Sequence, residues 1–416
     1  MKIVKLTAAS ERKLFKAREK RDVEAERVAA EIVSDVRKRG DKALFAWTVK
    51  LDGVDLKKDG VWIEEKEIAS AKRSADKALV KAIEHAVRNV GRVAERQLPK
   101  GWNIETDHGV GISQRVEPIE RIGCYIPGGH FALVSTLIMT AVPAQVAGVK
   151  EIVVACPKPN AALLTAASIL GVKKIARMGG AQAIAALAYG TKRVPRVEKI
   201  FGPGNQFVTA AKQIVSSECA IDLPAGPTEA IVYADQGNAR WIASDLLAQA
   251  EHTKDAGSFF VTTSEKLARE VQREVAWLLG ELPSTLARFS TFTSSAIVIA
   301  TSVDSAFDFI NRFAPEHLSL PENANELLPK VRAAGTVFVG PLGAQPLGDY
   351  MSGSNHVLPT GGWARRRGGL STADFVKCIS VQTINKRGFA KLAHDVVTLA
   401  KAEGLHAHAK AIEVRQ

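Results

Sequence analysis

Two titratable side chains stand together in the stretch "RFAPEHLSL", where Glu316 and His317 follow Pro315 and precede an apolar run. A carboxylate and an imidazole in reach of one substrate can divide the work of removing a proton and activating a water. Adjacent residues lie about 100° apart on a helix and on opposite faces of a strand, so the pair addresses one atom only in an irregular segment, with Pro315 helping to fix the backbone. Spacing alone favours a purely structural pair.

Other residues suit a divalent cation. In "LLAQAEHTKDA", Gln249 and His252 stand three apart and share one face of a helix, half of an N and O ligand set. The same spacing also suits a solvent-facing helix end, where a histidine interacts with the dipole. Asp349 and His356 lie in "PLGDYMSGSNHVLPTGG", too rich in glycine and proline for a regular element, hence a structured loop of the kind that serves a site or simply turns the chain. In "LHAHAKAIEV", Leu405, His408 and Ile412 share a helical face that excludes His406, so His408 is expected to point inward.

The elements that must position these residues follow a regular text. From about residue 149, short apolar runs such as "KEIVVAC", "EAIVYAD" and "SAIVIAT" alternate with alanine-rich helical segments. That alternation is the pattern of βαβ units and a parallel sheet, so the fold class is α/β. Ligands in such sheets bind beyond the carboxyl ends of the strands, which draws attention to three glycine-rich turns, "YIPGGH", "RMGGAQA" and "FGPGNQF". In each, glycines let the backbone approach a ligand, and the N–H groups of the following helix favour an anion such as a pyrophosphate. None is a full GxGxxG, since Phe207 stands where the third glycine would be, and no Walker A sequence is present. The first 120 residues read as mainly helical, and the last 40 as a helix halted at Gly404 followed by a shorter one.

Composition excludes several classes. Hydrophobic residues make up 46% and charged residues 24%, with 17 scattered prolines, an ordinary folded chain without low-complexity tracts. No stretch approaches the roughly 18 apolar residues of a membrane span, and the N-terminus has no apolar core of a signal peptide, so a cytoplasmic protein is expected. Cys124, Cys156, Cys219 and Cys378 are too dispersed for a disulfide framework or a zinc knuckle. The net charge of +12 comes mostly from bases interleaved with acids on helix faces, the pattern of solvated surfaces rather than of a nucleic-acid interface.

Nine ordered blocks, among them "CYIPGGHFALVSTLIMTAVPAQVAGVKEIVVACP", "KIFGPGNQFVTAAK", "DLPAGPTEAIVYAD", "LLAQAEH", "FAPEHLSL", "GDYMSGSNHVLPTGG" and "AEGLHAHAKAI", resemble the histidinol dehydrogenase family from about residue 20 to the C-terminus. The resemblance implies a zinc-containing enzyme that oxidises L-histidinol through the aldehyde to L-histidine in two NAD-dependent steps, the last of histidine biosynthesis. It implies one Zn²⁺ per subunit on Gln249, His252, Asp349 and His408. Glu316 would activate water and His317 would act as base. Tyr125, Gln182 and Asn205 would line the NAD site, and Thr228, His356 and Glu403, with the metal ligands and His317, the substrate site. The family's fold implies two Rossmann-like parallel-sheet domains, one inserted in the other, with a helical N-terminal arm and a C-terminal helical tail. The corresponding boundaries are 1–19 for the arm, 20–123 with 230–375 for the first domain, 124–229 for the second, and 376–416 for the tail. In the homodimer the tail, with Glu403 and His408, would complete the partner's site.

The chain departs from the family's commonest pattern at His130, Phe131 and Thr253, and over Trp363 to Arg367, which is bulkier and more basic than usual. A related NAD-dependent dehydrogenase of another small alcohol on the same scaffold is the alternative reading; neither nucleic acid nor membrane is an expected partner.

Overall fold

In the computed structural model, residues 1–18, 22–128, 133–223, 226–252, 255–282 and 294–416 are described. His130, Phe131 and Thr253 lie outside them.

Six parallel strands build the first sheet, in the order Lys2–Lys5, Ala296–Ile299, Gly257–Thr262, Glu229–Tyr233, His317–Leu320 and Thr336–Val339. The strand Gly257–Thr262 is buried at every residue, as a parallel strand must be when helices cover both faces. Side chains alternate between the two covers. Ile231 and Tyr233 pack with Phe307, Phe309 and Phe313 of the helix Val303–Phe313, while Val232 and Ala234 pack with Ile242, Leu246 and Val271 of the helices Ala239–Ala250 and Glu265–Glu281.

The second sheet is also parallel: Lys174–Ala176, Glu151–Ala155, Arg121–Tyr125, Lys199–Phe201 and Ala220–Ile221. Ile122, Cys124 and Val154 face a core with Ile68, Ile83, Ala86 and Val90, whereas Tyr125, Val153 and Ala155 face one with Ala29, Ile32, Val36 and Leu44. Part of each cover of this sheet is therefore drawn from residues 23–97, beside the helices Val134–Ala147 and Ala161–Ile169 on one face and Gly180–Tyr189 and Gln206–Val215 on the other. The expected boundary assigned 20–123 to the first domain; the apolar faces of these helices instead bury themselves on the second sheet. Residues 1–18 differ from a helical arm in one respect, since Lys2–Lys5 is an edge strand of the first sheet and only Ala8–Arg18 is helical.

A third, antiparallel sheet joins Trp102–Asp107, Val110–Pro118 and Val376–Ile384. The reading of the first 120 residues as mainly helical missed its first two strands, and the reading of the last 40 missed the third, because the outer two strands are largely solvent-exposed, the middle one is mostly half-buried, and none carries a clear apolar alternation. The tail follows as the helices Lys386–Ala402 and His406–Glu413, separated at Gly404, whose φ of +73° ends the first. Among the described residues no helix is long and apolar enough to cross a membrane.

Candidate active site

The helix Val303–Phe313 stops at Ala314, a non-glycine residue with φ of 50°, and Pro315 then turns the chain into the strand His317–Leu320. Glu316 immediately precedes the strand and His317 opens it. The irregular junction between helix and strand, not a loop apart from both, is what lets the two side chains meet. Gly335, just before the neighbouring strand, must be glycine, because a Cβ there would stand 2.5 Å from the Glu316 carbonyl oxygen.

A chain of buried hydrogen bonds runs into the carboxylate. Gln345 Nε2 donates to Gln249 Oε1 at 2.8 Å, Gln249 Nε2 to Thr228 Oγ1 at 2.8 Å, and the Thr228 hydroxyl to Glu316 Oε2, which also accepts the Glu229 N–H at 3.0 Å. His317 Nδ1 lies 3.7 Å from Glu316 Oε2, and Nε2 lies 3.8 Å from Asp349 Oδ1, both beyond hydrogen-bond reach. Both ring nitrogens are buried without a partner. The imidazole lies against Phe338 with centroids 6.0 Å apart.

Burial drives the two groups in opposite directions, because each loses the solvation of its charged form. Glu316 is pushed up to about 8 despite the stabilising bonds from Thr228 and Glu229, and His317 down to about 3, with His252 and His356 adding repulsion. His356 is lowered to about 4 for the same first reason; its Nδ1 faces the Asp349 carbonyl oxygen at 3.0 Å and its Nε2 the Thr136 hydroxyl at 3.4 Å. Asp349 is raised by burial, opposed by His252 and by a hydrogen bond from Gln345. Thr228, Gln249, His252, His317, Asp349 and His356 thus belong to one neighbourhood.

That neighbourhood lies at the amino ends of the first sheet's strands, since His317 and Glu229 open theirs and Gln249 closes a helix running back from the far edge. The glycine-rich turns, by contrast, follow the carboxyl ends of strands in the second sheet. Asn355, beside His356, donates to the Met139 carbonyl at 2.7 Å, and Asn89 to that of Met351 at 2.8 Å, so the loop around residues 350–360 joins the two halves.

For a metal, one chain offers an amide oxygen (Gln249), an imidazole (His252) and a carboxylate (Asp349), donor types that suit Zn²⁺. His252 Nδ1 faces the Ala248 carbonyl at 3.2 Å, the outer contact that leaves Nε2 for a ligand bond. Among the described residues no three His, Cys, Asp or Glu side chains stand close enough to hold an ion. His408 does not point inward: it and Glu403 are exposed, and the helix His406–Glu413 packs on Lys386–Ala402 and buries Ala409 alone. The face chosen from spacing is wrong by one position, because Ala409, not His408, meets the neighbouring helix. The donor set fits a zinc ion once a further histidine is supplied from outside the fold of one chain.

Tyr125 ends the strand Arg121–Tyr125, Gln182 lies in the first turn of the helix Gly180–Tyr189, and Asn205 caps the helix Gln206–Val215 by accepting the Val208 N–H at 3.1 Å. Tyr125 stands at, and Gln182 and Asn205 stand beyond, carboxyl ends of strands in the second sheet.

The family model described as histidinol dehydrogenase matches residues 15–416. The histidinol dehydrogenase of Geobacter sulfurreducens is 44% identical over 403 residues, covering 94% of this chain and 93% of its own. That of Methanocaldococcus jannaschii is 41% identical, covering 100% and 98%. The chain belongs to the histidinol dehydrogenase family. It is accordingly an oxidoreductase. The crystal structure of histidinol dehydrogenase from Elizabethkingia anophelis superposes with a TM-score of 0.94 at 36% identity, covering 100% of this chain and 98% of that one. The histidinol dehydrogenase fold therefore extends over both parallel sheets and the tail.

Sequence reasoning missed Gln345 and Phe338, which orient Gln249 and His317; a glutamine in "GAQPLG" and a phenylalanine in a strand carry no signal. It also missed Glu229, which is buried and paired with Arg18, while Gly361 N donates to its Oε1 at 2.7 Å. The basic run after the loop is structural: Arg365 donates to the Arg312 carbonyl at 2.7 Å, Arg366 lies over the Trp363 ring, and Arg367 pairs with Asp374.

Proposed function

We propose that this chain, as a homodimer in the cytoplasm, oxidises L-histidinol to L-histidine in two successive NAD-dependent hydride transfers through the aldehyde, the last step of histidine biosynthesis. The observation that carries the reading is the buried Glu316–His317 pair with both imidazole nitrogens free beside Asp349, Gln249 and Thr228. Gln249, His252 and Asp349 of one chain, with His408 from the tail of a second copy, would hold one zinc ion per subunit, which when bound would supply a Lewis acid to orient the substrate. NAD, beside Tyr125, Gln182 and Asn205, supplies the hydride acceptor.

The protons are handled by the chain itself. Burial keeps His317 neutral over the physiological range, so it can take the hydroxyl proton as the first hydride leaves carbon. Glu316, in its ionised form, accepts a proton from the water that adds to the aldehyde carbonyl, and the burial that pushes it up to about 8 makes that form a stronger base. His317, relieved of its first proton, takes that of the hydrate at the second oxidation. One water and two NAD⁺ are consumed, and two NADH and three protons are released. Thr228 holds the Glu316 oxygen in place, His356 lines the substrate side, and Glu403 arrives with His408 on the second copy's tail.

Counting NADH formed per histidinol tests the reading. Two per substrate, lost on chelation and restored by zinc, is expected; indifference to both chelator and zinc removes the metal, and no NADH removes the substrate. In H317N turnover is expected to fall by more than about a hundredfold with zinc still bound. Loss of zinc from H317N would make His317 a ligand rather than a base.

A further inference from the structure

The second glycine-rich turn has its anion seat already filled. Asp52 closes the helix Asp41–Asp52, and its Oδ2 accepts the Gly179 N–H at 2.9 Å and Gln182 Nε2 at 3.0 Å. The Gly180 N–H donates to the Tyr125 hydroxyl at 3.1 Å. Two N–H groups at the start of the helix Gly180–Tyr189 are therefore taken by the chain's own oxygens, where a phosphate would otherwise accept them. A Cβ on Gly179 would stand 2.8 Å from Pro157 Cγ and 3.0 Å from Asp52 Oδ1, and one on Gly180, whose φ is +60°, 2.6 Å from Gln182 Oε1. In this arrangement these two N–H groups are not free to receive a pyrophosphate.

A carboxylate at the last residue of a helix opposes the helix dipole, and its partial burial is a second unfavourable term, which the nearby Lys158 ammonium only partly offsets. The two donors it receives are what it gains. Because Oδ2 accepts, the Gln182 atom facing it is the NH₂ group, and the carbonyl oxygen is turned away. That oxygen is buried and accepts nothing, in a side chain with no exposed surface.

We infer that Asp52 is a positioning residue of the dinucleotide site: it presents the Gln182 carbonyl to an uncharged hydrogen-bond donor of NAD, a ribose hydroxyl or an amide or amine N–H, and keeps phosphate out of this turn. The inference rests on the reading of Gln182 as a cofactor residue. It places the dinucleotide's phosphates away from the helix Gly180–Tyr189.

The test is NADH binding by the full-length, zinc-loaded protein, followed by nicotinamide fluorescence and accompanied by kcat and KM for NAD. D52A is expected to weaken NADH about tenfold, with KM rising in step and kcat within about threefold. D52N, whose carbonyl can accept both N–H groups, is expected to stay within about threefold of the wild type. D52A/Q182A is expected to bind no more weakly than Q182A, because Asp52 acts through Gln182. Inorganic pyrophosphate is expected to compete against NADH more strongly in D52A than in the wild type, the vacated N–H groups now receiving an anion. Should D52A not fold, Asp52→Glu, which keeps the charge and displaces the acceptor, is expected to show the same weakening. Wild-type NADH affinity in D52A, additive losses in the double variant, or equal pyrophosphate competition in the two proteins overturns the inference alone. Failure of the wild type to bind NADH overturns the cofactor reading and this inference with it.

Discussion

Glu316→Gln separates the electrostatics of the site from its shape. Glutamine keeps the size of the side chain, and its carbonyl can still accept from Thr228 and from the Glu229 N–H. What it removes is a titration. Glu316 has an ordinary value of 4.5 and is pushed up to about 8 in the fold by burial. A carboxyl whose folded value is raised stabilises the fold fully below its unfolded value and loses that contribution as pH climbs to the folded one. Each unit of that interval is worth about 1.4 kcal/mol, so between about pH 5 and about pH 8 wild-type stability should fall by roughly 4 kcal/mol relative to E316Q. Urea unfolding of both metal-free proteins across that interval measures the difference directly. In the zinc-loaded enzyme the same variant should release the first NADH and then stall, since losing a general base slows the hydration-dependent step by about a hundredfold or more. Parallel stability profiles would refute the buried, proton-retaining carboxyl, and two NADH at wild-type rates would refute its role with water.

Two further perturbations test the supports around the site. Arg18 pairs with buried Glu229 and donates to the Phe313 and Ala314 carbonyls just before the pair, so R18A should cost about 3–5 kcal/mol in thermal or urea unfolding, with R18A/E229Q recovering part of it. Lys212, 3% exposed, pairs with Asp222 and donates to the Gly202 carbonyl at 2.9 Å beneath the third glycine-rich turn. K212M should therefore destabilise by about 3–5 kcal/mol and K212M/D222N by distinctly less, as read from the same unfolding curves.

The regular alternation after residue 149 made a parallel sheet legible, because buried parallel strands read as unbroken apolar runs; that there are two came from the family resemblance, and Lys2–Lys5 and Arg121–Tyr125 precede that text. The Glu316–His317 pair was legible as a departure from regularity: only a break between elements lets neighbouring side chains converge, and Ala314 with its positive φ supplies that break. Which sheet the helices of residues 23–97 would cover was not legible, since an amphipathic face names no partner. The strands Trp102–Asp107 and Val110–Pro118 were hidden for the opposite reason, having too little buried surface to pattern the sequence. His408 shows the limit of face counting on an eight-residue helix, where one small residue decides which side is inward.

The edge strand Lys2–Lys5 lies beside Ala296–Ile299, Ile3 opposite Ile297. During synthesis those first residues leave the ribosome long before their partner exists. The five-stranded sheet, by contrast, draws its strands from one contiguous span ending at Ile221, so it can be assembled while later codons are still being read. The six-stranded sheet must wait for Ala296–Ile299 before Lys2–Lys5 has a partner and for Thr336–Val339 before its other edge is in place, a closure across about 290 residues that should make it the slower half to mature.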